Sequence, residues 1–272
     1  MDSLPVRGPD VRALGLPLPP ARMPLLRAGQ PLKRWRYVGV YGPELMLCVV
    51  DASVAGVPLR WWAIALPDGG LRERTTAGRG GVLLERERVR VAAGDVAIDL
   101  ALDEQAGVEV VSPHGRSYIW TRKQGGIPAR GRVRVGEREW TIDGTAFVDD
   151  SAGYHARHTV WRWSAGLGVG GGGEQIAWNL VDGVHDAAHA SERTVWVDGE
   201  PHEVGPVAFA DDLSSVGELR FHEWSARLDD TNRLLFRSRY RQPFGTFEGT
   251  LPGGGPALAA GYGVMEWHDV RW

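Results

Sequence analysis

Turn-forming residues interrupt this chain so regularly that it can build little besides short β-strands. Its 272 residues include 37 glycines and 17 prolines, and most of them fall between runs of branched and aromatic residues. The run 34–41 reads RWRYVGVY, and Gly42-Pro43 turns it into 44–50. The run 57–66 ends at Pro67-Asp68-Gly69-Gly70. Further strands are expected at 82–91, 96–102, 108–111, 118–122, 132–135 and 139–147. The second half continues with 154–163, 175–181, 194–197, 204–208, 219–224, 234–240, 246–250 and 262–268. Short strands at a spacing of about 8–12 residues, without helical periodicity, indicate an all-β sandwich or barrel. Helical turns fit only at 113–116 or 186–192. So many strands exceed one small barrel, so two packed β lobes are expected.

Seven prolines between Pro5 and Pro31 exclude long helix and regular sheet, so residues 1–31 read as an extended arm on the surface, with a disordered tail as the alternative. A boundary near 144–150 divides the rest into lobes of similar size, 32–148 and 149–272.

The formal net charge of −3 gives no footing for a nucleic-acid or anionic-membrane partner. Only Lys33 and Lys123 are lysines; the other basic residues are arginines, which fits codon usage of a GC-rich genome. The single cysteine, Cys48, lies in an apolar run and reads as a small buried hydrophobe. One cysteine forms no disulfide within the chain, which fits a reducing, cytoplasmic setting. The N-terminus lacks a signal-peptide core, and no run approaches the roughly 18 apolar residues of a membrane-spanning helix.

The densest mixture of aromatic, acidic and imidazole groups lies in 149–182, read as two long strands joined by a glycine-rich hairpin. With a period of two, His155, Arg157, Thr159, Trp161 and Trp163 share one face of its first strand. Neither face is wholly apolar. Two readings stand: a surface strand with tryptophans packed on a core, or a cavity wall where polar groups converge. In the C-terminal strand Tyr262, Val264, Glu266 and His268 share a face. A carboxyl and an imidazole two residues apart can act as acid and base if that face is enclosed, and burial would raise the Glu266 pKa. An exposed Glu–His pair is the alternative. Candidate catalytic residues are therefore Glu266 as proton donor, with Asp150, His155 and His268 as partners. Candidate ligand-binding residues are Trp161, Trp163, Trp178, Asn179, Arg157 and Tyr262.

Other patterns carry less. Gly168, Gly170 and Gly173 match G-x-G-x-x-G, but a strand follows where a dinucleotide site needs a helix. His155 and His158 point to opposite faces of a strand, and His185 and His189 lie in a loop context, so no metal site is expected. No G-x-S-x-G occurs. No cofactor is expected.

Four segments carry a family resemblance: KRWRYVGVY (33–41), DDSAGYHARHTVWRW (149–163), WNLVDG (178–183) and GVMEWHDVRW (263–272). Together they resemble the bacterial family catalogued as domain of unknown function 2804. More remotely, that family is similar to the two-lobed, lipocalin-like group that includes hydroxyneurosporene synthase, a carotenoid hydratase, and fungal decalin-forming cyclases. The resemblance implies two lipocalin-like lobes with an apolar ligand near their junction, and transfers no catalytic motif. Three functions follow as expectations. The first is a module that binds an apolar isoprenoid, fatty-acyl or polyketide-like molecule among its tryptophans. The second is a hydratase, isomerase or cyclase using acid–base residues there. The third is a ligand-free structural protein.

Overall fold

The computed structural model describes residues 4–78, 80–233 and 236–272. Two large antiparallel sheets account for most of the chain, as the strand pattern implies. The first has eleven strands. Its path runs Leu71–Ala77, Val57–Ala65, Met46–Val54, Lys33–Tyr41, Arg138–Gly153, Ser117–Val135, Val96–Leu102, Arg88–Ala93, Val82–Leu84. It curls until Val82–Leu84 approaches Met46–Val54, which encloses an apolar core containing Val38, Val49, Ile64, Val91, Ile98 and Val148. Val108–His114 and the short Val6–Arg7 branch off the N-terminal half of Ser117–Val135.

The second sheet has eight strands, in the order Glu200–Glu203, Thr194–Val197, Gln175–Asp182, His158–Gly170, Leu258–Arg271, Phe236–Glu248, Leu219–Arg233, Ser215–Val216. It curls around its own core, which includes Ile176, Trp178, Leu180, Phe221 and Met265. The glycine-rich stretch forms the hairpin between His158–Gly170 and Gln175–Asp182. The chain passes from the first sheet to the second through residues 154–157, which belong to no strand.

The two sheets stack, and the contact is a third core. In Lys33–Tyr41, Val38 and Val40 point into the first lobe while Tyr37 and Tyr41 point at the second sheet. Cys48, Val50, Ala63 and Phe147 join that outward face and meet Trp163, Leu167, Trp196, Phe244 and Val264. A one-residue slip would turn Tyr37 and Tyr41 into the first lobe and Val38 and Val40 toward the second sheet, exchanging side chains of unlike size between two packed cores. That fixes which side chains meet between the lobes.

Several elements differ from the sequence expectations. Residues 154–157 are irregular and the strand begins at His158, so His155 and Arg157 leave the face assigned to them. The runs 118–122 and 132–135 are one strand, because Gly125-Gly126 forms a bulge with Gly126 at φ +74° instead of a turn. The run 82–91 is two strands. Residues 204–208 are not a strand, since Gly205 and Pro206 serve a ladder poorly. Leu71–Ala77 is an exposed, polar edge strand whose sequence has no apolar alternation to reveal it. The expected start at Leu234 lies outside the described residues. Neither expected helical turn forms: 113–116 is a strand end and turn, and 186–192 is a loop. A 3-10 helix instead occupies Gly8–Leu14 in the arm, where Pro9 suits a helix start because it needs no backbone donor there. Among the described residues no helix is long and apolar enough to cross a membrane.

Candidate functional site

Leu258–Arg271 lies in the middle of the second sheet, between His158–Gly170 and Phe236–Glu248. Strand register places Trp161 beside His268, Trp163 beside Glu266, and Tyr240 on the other side of His268. These side chains share the face turned toward the first sheet. Glu266 is 8% exposed. Its Oε1 accepts a hydrogen bond from Trp161 Nε1 at 2.8 Å. Its Oε2 accepts from Tyr240 OH at 2.9 Å and from Gln242 Nε2 at 3.0 Å. Every donor is neutral, and among the described residues no cation forms an ion pair with Glu266. Burial pushes its pKa up to about 7 against the opposing pull of the Trp161 and Tyr240 hydrogen bonds.

His268 stands 4.4 Å from the Trp161 ring and 5.1 Å from the Tyr240 ring, centroid to centroid. Its Nε2 is 2.8 Å from Ser238 Oγ, so its ring engages Ser238 and not the Glu266 carboxyl. Burial, then the nearby Arg227 guanidinium, pushes its pKa down to about 3, and the ring is neutral. Glu266, His268, Trp161 and Trp163 thus come together on one enclosed face. Tyr262 lies half-buried further along it, 6.4 Å from the Trp224 ring.

Asn179 sits beside this group. Its Oδ1 accepts from Trp163 Nε1 at 2.7 Å, and its Nδ2 donates to the Glu192 carbonyl at 2.8 Å. Glu192 leads to a buried charge cluster: Lys123 Nζ lies 2.7 Å from Asp149 and 3.3 Å from Glu192. Trp35 Nε1 donates to the other Asp149 oxygen at 3.2 Å. Burial raises the Asp149 pKa and the nearby Glu192 carboxylate adds to the rise, with Lys123 opposing. Burial alone would depress Lys123, but the two carboxylates outweigh it and hold the ammonium charged.

The remaining candidates lie elsewhere. Trp178 is fully buried in the second lobe's own core, where its Nε1 donates to Ser164 Oγ at 3.1 Å. Arg157 is exposed at the lobe crossing. His155 is buried there, 5.2 Å from the Trp35 ring and 5.6 Å from His114, with both ring nitrogens lacking a partner. Burial, then Lys33, holds its pKa well below the usual range. Lys33 is itself buried, donates to the His155 carbonyl at 3.3 Å, and has its pKa lowered by burial to about 7. Asp150 lies on the opposite face of the first sheet from Asp149. There Arg36 Nη1 reaches its two oxygens at 2.9 and 3.0 Å, and Arg122 reaches it at 2.6 Å.

Asp150 lines a groove of about 590 Å³ between the N-terminal arm and the first lobe. Trp35, Trp120, Pro19, Pro20 and Leu84 supply its aromatic and apolar wall, and Arg34, Arg36, Arg86 and Arg122 its charge. Among the described residues no group of three or more His, Cys, Asp or Glu is arranged to hold a metal.

Sequence reasoning missed Tyr240, Gln242, Lys123 and Glu192. One signal was available for Lys123. In an arginine-rich chain the two lysines stand out, and both are buried, at 1% and 3% exposure.

The domain of unknown function DUF2804 matches residues 73–272. No curated protein matches the chain. Among solved structures, kievitone hydratase from Nectria haematococca is 11% identical with a TM-score of 0.53, over 86% of this chain and 88% of that one. A Nitrosomonas europaea protein assigned as AttH is 15% identical with a TM-score of 0.49, over 92% of this chain and 97% of that one. CghA bound to Sch210972 is 8% identical with a TM-score of 0.43, over 88% of each chain. At these identities the kievitone hydratase likeness establishes a shared fold.

Proposed function

The chain belongs to the DUF2804 family, and we propose that it is an acid–base enzyme acting on a small, largely apolar molecule bound between its two lobes. Hydration, isomerisation and cyclisation are the reaction types in view, and isoprenoid, fatty-acyl or polyketide-like compounds the substrate class. One observation carries the reading: Glu266 is a buried carboxyl with a pKa near 7, held by three neutral donors. A carboxyl in that state is protonated in part of the population at neutral pH and can both give and take a proton. Its fold likeness to a hydratase supports the reading by analogy only.

In the hydration case Glu266 gives its proton to one alkene carbon. Water adds to the cationic carbon so formed, and the surplus proton of that water returns to the carboxylate. The faces of Trp161 and Trp163 stabilise a developing cation by their electron-rich rings. Tyr240 and Gln242 fix the carboxyl orientation. Asn179, bonded to Trp163, holds that ring in place. His268 stays neutral and shields the site without competing for the proton. Asp150 and His155 lie outside this layer and take no part in the step.

The test is proton incorporation. The wild-type protein and Glu266→Gln are incubated in D2O with isoprenoid, fatty-acyl and polyketide-like substrates, and products are examined by mass spectrometry for deuterium on carbon. Incorporation by the wild type and its loss in Glu266→Gln is the expected result. Equal incorporation by both, or none by the wild type, counts against the assignment.

Carriage of such a molecule without chemistry is the second reading. The groove beside Trp35 and Trp120 favours it.

A further inference from the structure

We infer that the groove between the N-terminal arm and the first lobe is a separate binding site for an amphipathic anion: an apolar body bearing one carboxylate or phosphate head. The charges around the groove do not balance. Arg12 pairs with Glu109, and Asp51 with Arg60. Glu104 and Asp150 together face three guanidiniums, those of Arg36, Arg86 and Arg122. Arg34 has no ion pair or side-chain hydrogen bond among the described residues. Two cations are therefore in excess, on a chain whose formal net charge is −3.

The loosest charges are at the rim. Arg34 is exposed, and Arg86 approaches Glu104, its one carboxylate partner among the described residues, at 3.9 Å. Arg36 and Arg122 are stitched to Asp150 and form a fixed floor. Trp120, Leu84, Pro19 and Pro20 supply apolar surface beside these guanidiniums. At about 590 Å³ the groove falls in the size range of small-molecule sites, about 300–1,000 Å³. Guanidiniums recognise carboxylate and phosphate through paired N–H donors. The N-terminal arm then has a function of its own: Arg12 and Pro19, joined by a 2.8 Å hydrogen bond, close one side of the groove.

Calorimetric titration of the full chain tests this, with decanoate, decyl phosphate, decanol and acetate each below micelle-forming concentration. Either decanoate or decyl phosphate should bind at least tenfold more tightly than decanol and acetate, and the tighter of the two identifies the head group. The double variant Arg34→Gln/Arg86→Gln, whose side chains are exposed and peripheral to folding, should lose that affinity tenfold or more with an unchanged circular dichroism spectrum. Glu266→Gln should bind as the wild type does, which separates this site from the layer between the lobes. Absence of binding by both anions, equal binding of decanol, or full affinity in the double arginine variant would overturn the inference. A matching loss in Glu266→Gln would do so too, by placing the ligand between the sheets.

Discussion

At the scale of single residues, the two groups held near pH 7 by burial have opposite effects on stability. Glu266 has a folded pKa of about 7 against an ordinary 4.5. Between those values the folded chain keeps a proton that the unfolded chain has released. Stability from this group is therefore complete below pH 4.5 and is lost as pH rises to 7, by about 3 kcal/mol in total. Glu266→Gln should remove that slope, leaving the variant more stable relative to wild type at pH 8 than at pH 4.5 in urea unfolding. Lys33 runs the other way. Its folded pKa is about 7 against an ordinary 10.5, so the unfolded chain binds the extra proton between them. Stability rises from pH 7 toward 10.5, and Lys33→Met should flatten that limb while leaving the acid limb intact. A slope unchanged by either substitution would show that the carboxyl or the amine is solvated in the folded protein. The pKa of Glu266 was only half legible in the sequence. Period two placed it with Tyr262, Val264 and His268 on one face, but its place beside Trp161 and Trp163 comes from strand pairing, and its enclosure from the other sheet, more than a hundred residues earlier. Tyr240 and Gln242 were missed for the same reason: their strand reads as alternating arginines and aromatics, and only its pairing with Leu258–Arg271 reveals which side matters.

At the scale of elements, close approach between layers sets what each strand tolerates. Gly166 lies under the Trp178 indole. A Cβ there would come within 2.0 Å of Cζ2, a contact that real structures do not contain. Because Trp178 is fully buried, its ring has no solvent to move into. Gly166→Ala should therefore destabilise the chain by about 1–3 kcal/mol in urea unfolding, as overpacked cores do. Gly144→Ala, with nothing within 4 Å of the added carbon, should stay within about 0.5 kcal/mol of wild type. If both variants match wild type, Trp178 is looser than its packing implies. The contrast also explains what the chain shows to a reader of sequence alone. Turns and strand cores are local, so 57–66 and 96–102 are legible to within a residue or so. A glycine is ambiguous: at 125–126 it is a bulge, at Gly166 it is room for a neighbouring ring, and at 170–173 it is a hairpin. Position in the sheet decides among these, and sequence periodicity does not carry it.

For the whole molecule, the layer between the lobes must open if a substrate is to reach Glu266, and Cys48 reports on that opening. Its thiol is wholly enclosed and lies 3.6 Å from Gln242 Oε1, the neighbour of Glu266. Burial pushes its pKa up to about 12, so in the closed protein it is neither accessible nor ionised near pH 8. Labelling by a thiol reagent then requires separation of the sheets or unfolding. The two differ in how much surface they expose, and hence in their dependence on urea. An enzyme working between these lobes should label at low urea through a limited opening with weak urea dependence, well below the free energy of global unfolding. Phe147 is fully buried between Trp163 and Trp196, at ring distances of 5.9 and 6.2 Å. Phe147→Ala should cost about 3–5 kcal/mol of global stability. It should also raise the low-urea labelling rate tenfold or more, since it removes a central part of the packing that holds the sheets together. If Cys48 instead labels at every urea concentration with the full dependence of global unfolding, the layer opens only when the protein unfolds. Glu266 would then have no route to a substrate. Its three hydrogen bonds would tie the sheet together, and the arginine-rimmed groove would be the place where this protein meets its ligand.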